Sequence, residues 1–152
     1  LQHVPLRSRN RFPNDPESHV LKLPNPYFQE VVDAHVDIEA WLSGRAEPGR
    51  LATLLARFSP QFSMIALQGA SIDYAGVDAL FSQGWNARPE LRIEIDEWRE
   101  IAACDGGAVI GYRETQTDGT GRRTVRRSTV VFERDMHGRI VWRHLHETPV
   151  AG

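Results

Sequence analysis

The second half of the chain is four strand-like runs divided by three compact turns, and this most narrows what the chain can fold into. The runs are "LRIEIDEWREIA" (91–102), "AVIGYRETQT" (108–117), "RTVRRSTVVFER" (123–134) and "RIVWRHLHET" (139–148). Between them lie "CDGG", "DGTG" (118–121) and "DMHG" (135–138). Connections this short join only antiparallel neighbours, because a parallel crossover needs a dozen or more residues. The alternation in the first run slips phase between Ile95 and Trp98, which predicts a β-bulge and a bend in that strand.

The first half has a different period. Phe28, Val31, Val32, His35, Ile38 and Leu42 recur at helical spacing, with Asn25 and Pro26 suited to the start and Gly44 to the end. A short second helix is predicted over 49–58, stopped by Pro60, and a third after Gly76 with Val77, Leu80, Phe81 and Trp85 on one face. Between them "FSMIALQ" (62–68) reads as a strand and "GASIDY" (69–74) as a turn with a short return strand. Residues 1–26 hold five of the nine prolines and show no period, so they read as an irregular N-terminal arm against the body or a second subunit.

Helices followed by a strand meander define an α+β fold. The expected architecture is three N-terminal helices packed on a strongly bent antiparallel sheet, one domain over 27–150 with the arm at 1–26. A bent sheet wrapped around an amphipathic helix encloses a cone, and alternate strand residues line its interior.

Composition removes some classes of function. A 152-residue chain with 41% hydrophobic residues is long enough for one core, and a net charge of −2 gives no bulk attraction to nucleic acid or an anionic membrane. No apolar run is long enough to span a bilayer. The single cysteine, Cys104, forms no internal disulfide, which fits a cytoplasmic setting. "GRRTVRR" holds four arginines, but strand alternation sends Arg126 and Arg127 to opposite faces, so it reads as a solvated hairpin with one inward arginine rather than a nucleic-acid surface.

The order of elements, with these turns, resembles the NTF2-like, or cystatin-like α+β cone, superfamily. Within it "GYRETQTDGTGRRT" and "STVVFERDMHGRIVWRHLHET" look most similar to the association domain of calcium/calmodulin-dependent protein kinase II and to DUF4440 and SnoaL-like relatives. The features that carry the resemblance are Arg113, Thr115 and Gln116, the glycine turn, Arg123 and Thr124, and the closing His-x-His. It covers roughly 27–148. It implies a polar pocket with an arginine at Arg113. A second family arginine falls on Val130 and a family histidine on Leu80, while Arg126 shares a face with Val130.

The candidate pocket residues are Arg113, Arg126, Ser128, His35, Tyr74, Trp85, Trp98 and His146, with His35 and His146 as candidate acid–base groups. Imidazole titrates near neutrality, so either histidine can move a proton. His144 and His146 share a strand face, about 6.5–7 Å apart at Cα, but no third ligand sits at a zinc-binding spacing. The pair is read as bordering the cone or a subunit seam, with no metal and no cofactor. A guanidinium at Arg113 on the concave face requires an anion, either a bound carboxylate or Glu39, Glu97 or Glu114. His35 in an apolar helix stripe is commonly a satisfied core residue. Asp33 and Asp37 flank that stripe as solvated groups. Tyr74 and Asp96 are the residues available for an isomerase-like pair.

Three functions follow. The first is a homodimeric NTF2-like domain whose cone binds a small polar or anionic organic molecule. The second is a cofactor-free isomerase, cyclase or dehydratase, and the third an oligomerisation module. The expected partners are a second copy and a small ligand, without nucleic acid or membrane.

Overall fold

The computed structural model describes residues 4–5 and 23–151. The strands are β1 (Val4–Pro5), β2 (Phe58–Ile65), β3 (Ser71–Asp73), β4 (Arg92–Cys104), β5 (Gly107–Thr117), β6 (Arg123–Arg134) and β7 (Ile140–Pro149). The helices are α1 (Pro26–Leu42), α2 (Leu51–Leu55) and α3 (Tyr74–Gly84). The three helices pack on one sheet of order β1-β4-β5-β6-β7-β2-β3. The fold is α+β, as the order of periods predicts. Most of the arm lies outside the described residues. Val4 and Pro5 are an exception to its irregularity, pairing antiparallel with Ile95 and Glu94.

Helix α1 begins where the side chain of Asn25 accepts hydrogen bonds from the backbone N–H of Tyr27 (2.9 Å) and Phe28 (3.3 Å). Pro26 follows at the position that needs no N–H. The helix stops before Gly44, whose φ of +76° suits a residue without Cβ. Val31, Val32, Ala34 and Trp41 are buried on its sheet-facing side. The Trp41 indole N–H donates to the carbonyl of Phe81, tying α1 to α3 (2.7 Å).

The predicted second helix is shorter in fact. A 3-10 turn over Pro48–Arg50 leads into α2, and Phe58 already opens β2. Pro60 therefore sits inside a strand and does not stop a helix. The strand tolerates it because the β2–β7 register breaks between Phe58 and Ser63, where no ladder partner needs its missing N–H. Helix α3 starts at Tyr74, two residues before Gly76, because the Asp73 carboxylate caps the Gly76 N–H at 2.9 Å.

β4 to β7 form the expected antiparallel meander, while β2 runs parallel to β7. The anticipated bulge is present: Asp96 faces Arg113, yet the next pair is Arg99 with Gly111, and Glu97 takes a φ of +52°. A further irregularity, at Arg143, is not anticipated by the alternation. Phe132 faces Trp142, but Val131 faces His144. The extra residue puts Trp142 and Leu145 on the same face of β7 and turns both histidines to the other.

The concave face carries Ile93, Ile95, Ile110, Val130, Phe132 and Trp142, all at most 2% exposed. Phe58–Phe62 and Phe132–Trp142 meet edge-to-face at a centroid distance of 4.9 Å, and Phe58 lies tilted against Trp142 at 6.2 Å. Among the described residues, no helix is long and apolar enough to cross a membrane.

Candidate functional site

Two layers of the core stop short of full contact. Ile38 and Leu42 of α1 belong to its apolar stripe yet remain half-buried, because a hollow of about 160 Å³ lies beside them. Phe62, Met64, Val77, Leu80, Phe81, Trp142 and Leu145 complete its apolar wall. Leu80 is 48% exposed, which marks the open side at α3. The other end is polar: His35, Glu114, Gln116 and Glu147.

These groups meet because helix and strand periods converge. His35 is one turn beyond Val31 on the buried face of α1. Glu114 shares its β5 face with Ile110 and Tyr112, and Glu147 lies opposite Ser128, itself opposite Tyr112. His35 Nδ1 donates to the Val31 carbonyl at 2.7 Å, and Nε2 lies 3.1 Å from Glu114 Oε1. These partners place a proton on each ring nitrogen. Gln116 donates to Glu114 at 2.6 Å and accepts from Arg88 at 2.6 Å. Arg126 donates to Glu147 at 3.2 Å.

Burial opposes every charge in this cluster, and the neighbours decide the result. For Glu114 burial alone would raise the carboxyl, but the charge and hydrogen bond of His35, then Arg126 and Gln116, hold it down to about 2. Burial would lower the His35 imidazole, yet the Glu114 carboxylate more than offsets this and raises it. For Glu147, burial and then repulsion from Glu114 outweigh the Arg126 contact and raise its carboxyl. The Tyr112 phenol is pushed well up by burial and by both carboxylates. The result is an imidazolium–carboxylate pair beside a second carboxyl that takes up a proton more readily.

Three of the expected pocket residues reach the concave side or its rim: His35, Arg126 and Ser128. The others do not. Arg113 lies on the opposite face of β5, bound to Asp96 at 2.6 and 2.8 Å and to Glu97 at 3.4 Å. The expectation that its guanidinium enters the cone is corrected: Ile110, Tyr112 and Glu114 take the inward parity, so Arg113 must face outward. This same pairing occupies Asp96. His146 is exposed on the convex face, displaced there by the bulge at Arg143, and His144 accompanies it with its ring 2.7 Å from the Ser63 hydroxyl. Trp98 stacks on Phe28 at 5.5 Å and Trp85 donates to the Ala46 carbonyl at 2.9 Å, neither in the hollow. Tyr74 sits at the start of α3, away from the lining. Asp37 is not simply solvated; it binds Arg57 at 2.5 Å, while Asp33 accepts from Gln29 at 3.0 Å.

The sequence does not point to Glu147, and it offers Glu114 only as a possible partner for Arg113. The signal for Glu114 lies in β5: it has the parity of the apolar Ala108, Ile110 and Tyr112, the side that buries. Glu147 has the parity of Leu145, but the bulge hides its relation to Trp142.

No protein family model and no curated protein matches the sequence. Solved structures do. An NTF2-like protein of unknown function from Pseudomonas aeruginosa is 42% identical, with 84% of this chain and all of that one covered and a TM-score of 0.80. The chain belongs to the NTF2-like family. A protein from Thiobacillus denitrificans assigned as a calcium/calmodulin-dependent protein kinase type II association domain matches at 21% identity, 87% and 100% coverage and a TM-score of 0.64. One from Streptomyces avermitilis assigned as a dehydratase of the NTF2-like family matches at 16%, 86% and 100%, with a TM-score of 0.62. These last two likenesses concern the fold.

Proposed function

We propose that the cone binds a small, mainly apolar organic molecule that carries one hydrogen-bonding group. The observation that carries this is the hollow of about 160 Å³ with hydrocarbon walls and a single polar end. Its polar lining holds two carboxyl groups against one imidazolium, so a neutral ligand with a hydroxyl or amine donor fits better than a carboxylate. Thermal shift and calorimetry with cyclic alcohols, ketones and matched carboxylates test this. Neutral compounds should stabilise the protein by mass action, and Leu80→Trp, which fills the open side, should remove the effect. Equal binding by the Leu80→Trp variant, or preference for the carboxylate, overturns the reading.

A second reading rests on Glu147. A carboxyl that borders an apolar hollow and holds its proton above the usual range can serve as a general acid or base, as in an isomerase, cyclase or dehydratase. In that case Glu147→Gln should keep ligand affinity and abolish turnover; unchanged turnover removes this reading.

The proposal includes self-association through the convex face. Ile101 is 48% exposed there, and a shallow hollow of about 530 Å³ follows the β4 bulge beside Arg127 and Thr129. Sedimentation should give a dimer that Ile101→Glu dissociates; a monomeric wild-type protein rejects it. An exposed free thiol at Cys104 supports a reducing, cytoplasmic setting.

A further inference from the structure

A second hollow, of about 270 Å³, adjoins the cone at Gln116, which borders both. Arg88, Arg122, Arg126, Thr124, Gln116 and Asp118 line it. Arg126 is already paired with Glu147 of the cone, so Arg88 and Arg122 are left to face the one lining carboxylate, Asp118. That carboxylate is already committed to the β5–β6 turn, where Asp118 Oδ1 accepts from the Thr120 N–H (2.9 Å), the Thr120 hydroxyl (2.6 Å) and the Arg122 N–H (3.0 Å).

The arginines are short of acceptors. Arg88 has its hydrogen bond on the neutral oxygen of Gln116. Arg126 reaches one carboxylate oxygen, of Glu147 at 3.2 Å, and its buried Nε–H has no acceptor among the described residues. A buried charged donor left without an acceptor is costly, and an oxyanion supplies the missing oxygens. The forked geometry of guanidinium suits phosphate and carboxylate groups. The Thr124 hydroxyl adds a neutral donor.

We propose that this arginine-framed hollow is a second binding site, next to the cone, for a small oxyanion. With Arg126 paired to Glu147, Arg88 and Arg122 still outweigh Asp118, and this excess of positive charge favours an anion. Binding is through charge-assisted hydrogen bonds and no covalent step is involved.

Calorimetric titration of the full chain with inorganic phosphate, and in parallel with succinate, tests the site at constant ionic strength. Phosphate, succinate or both should bind saturably, and the arm that binds identifies the source of the oxyanion. Arg122→Gln and Arg88→Gln should each weaken binding about tenfold. Arg123→Gln removes the same charge from the same hairpin outside the lining, and should change affinity by less than about twofold. Arg122 is exposed on the turn, so its variant keeps the fold if Arg88→Gln does not. Leu80→Trp should leave phosphate binding intact, which separates this site from the cone. Absence of saturable binding by both anions, or equal weakening by Arg122→Gln and Arg123→Gln, overturns the proposal.

Discussion

His35 on α1 and Glu114 on β5 form an ion pair 3.1 Å apart, both side chains at most 6% exposed. The pair joins the long helix to the middle of the sheet, and each partner is held in its charged form by the other. Removing one partner strands a buried charge, which ordinarily costs more than the pair itself contributes. Glu114→Gln should therefore destabilise the protein by about 3 kcal/mol. Urea denaturation measures this, and a loss within error of zero would show the pair to be dispensable.

The same pair sets a pH window. Glu114 is lowered from 4.5 to about 2, so its contribution is complete above pH 4.5 and disappears as pH falls through about 2. His35 is raised from 6.5, so its contribution is complete below pH 6.5 and disappears as pH rises through the folded value. Both are fully present only between pH 4.5 and 6.5. Glu147 and Glu30 are raised, so their protonation offsets part of the acid loss. The urea midpoint should peak in that window, and Glu114→Gln should flatten the profile.

Arg113 should matter little to the cone. Its partners Asp96 and Glu97 are on the outer face, and its side chain is 34% exposed. Partly exposed pairs are worth about 1 kcal/mol or less. Arg113→Ala should lower stability by no more than that and leave ligand affinity unchanged in the same calorimetric assay used for Leu80→Trp.

Arg57 is a sharper case. It binds Glu30 at 2.7 and 2.8 Å and Asp37 at 2.5 Å, while Glu30 also accepts from the Trp142 indole at 3.0 Å. Arg57→Met leaves Glu30 largely enclosed without its cation. The expected cost is about 3 kcal/mol by chemical denaturation, with a near-ultraviolet dichroism change from Trp142.

Two glycines of one strand should respond differently. A Cβ at Gly107 would stand 2.1 Å from the Phe132 carbonyl oxygen, a backbone atom of β6 that cannot step aside. At Gly111 the nearest atom is Ile101 Cδ1 at 3.5 Å, an ordinary contact. Gly107→Ala should cost about 2 kcal/mol and Gly111→Ala far less, read from paired melting curves.

Much of the fold is legible in the sequence. The turn signals between the four runs set an antiparallel meander, the Asn25–Pro26 pair placed the start of α1, and the phase slip after Ile95 located a bulge. These are local consequences of backbone geometry, hydrogen-bond satisfaction and side-chain period. Alternation also established that Arg113 and Glu114 face opposite ways.

Alternation is a relative rule, and it does not say which parity is inside. That choice belongs to packing: Ile110 and Tyr112 meet α1, so Glu114 goes in and Arg113 goes out. The inserted Arg143 then reverses parity within β7, sending His146 to the convex face and Glu147 to the cone. The meeting of His35, Glu114 and Glu147, from segments far apart in the chain, arises only when helix and curled sheet close on each other. Sequence thus determined the elements and their internal order, while tertiary packing decided which charges share the interior, because only burial distinguishes one face of a strand from the other.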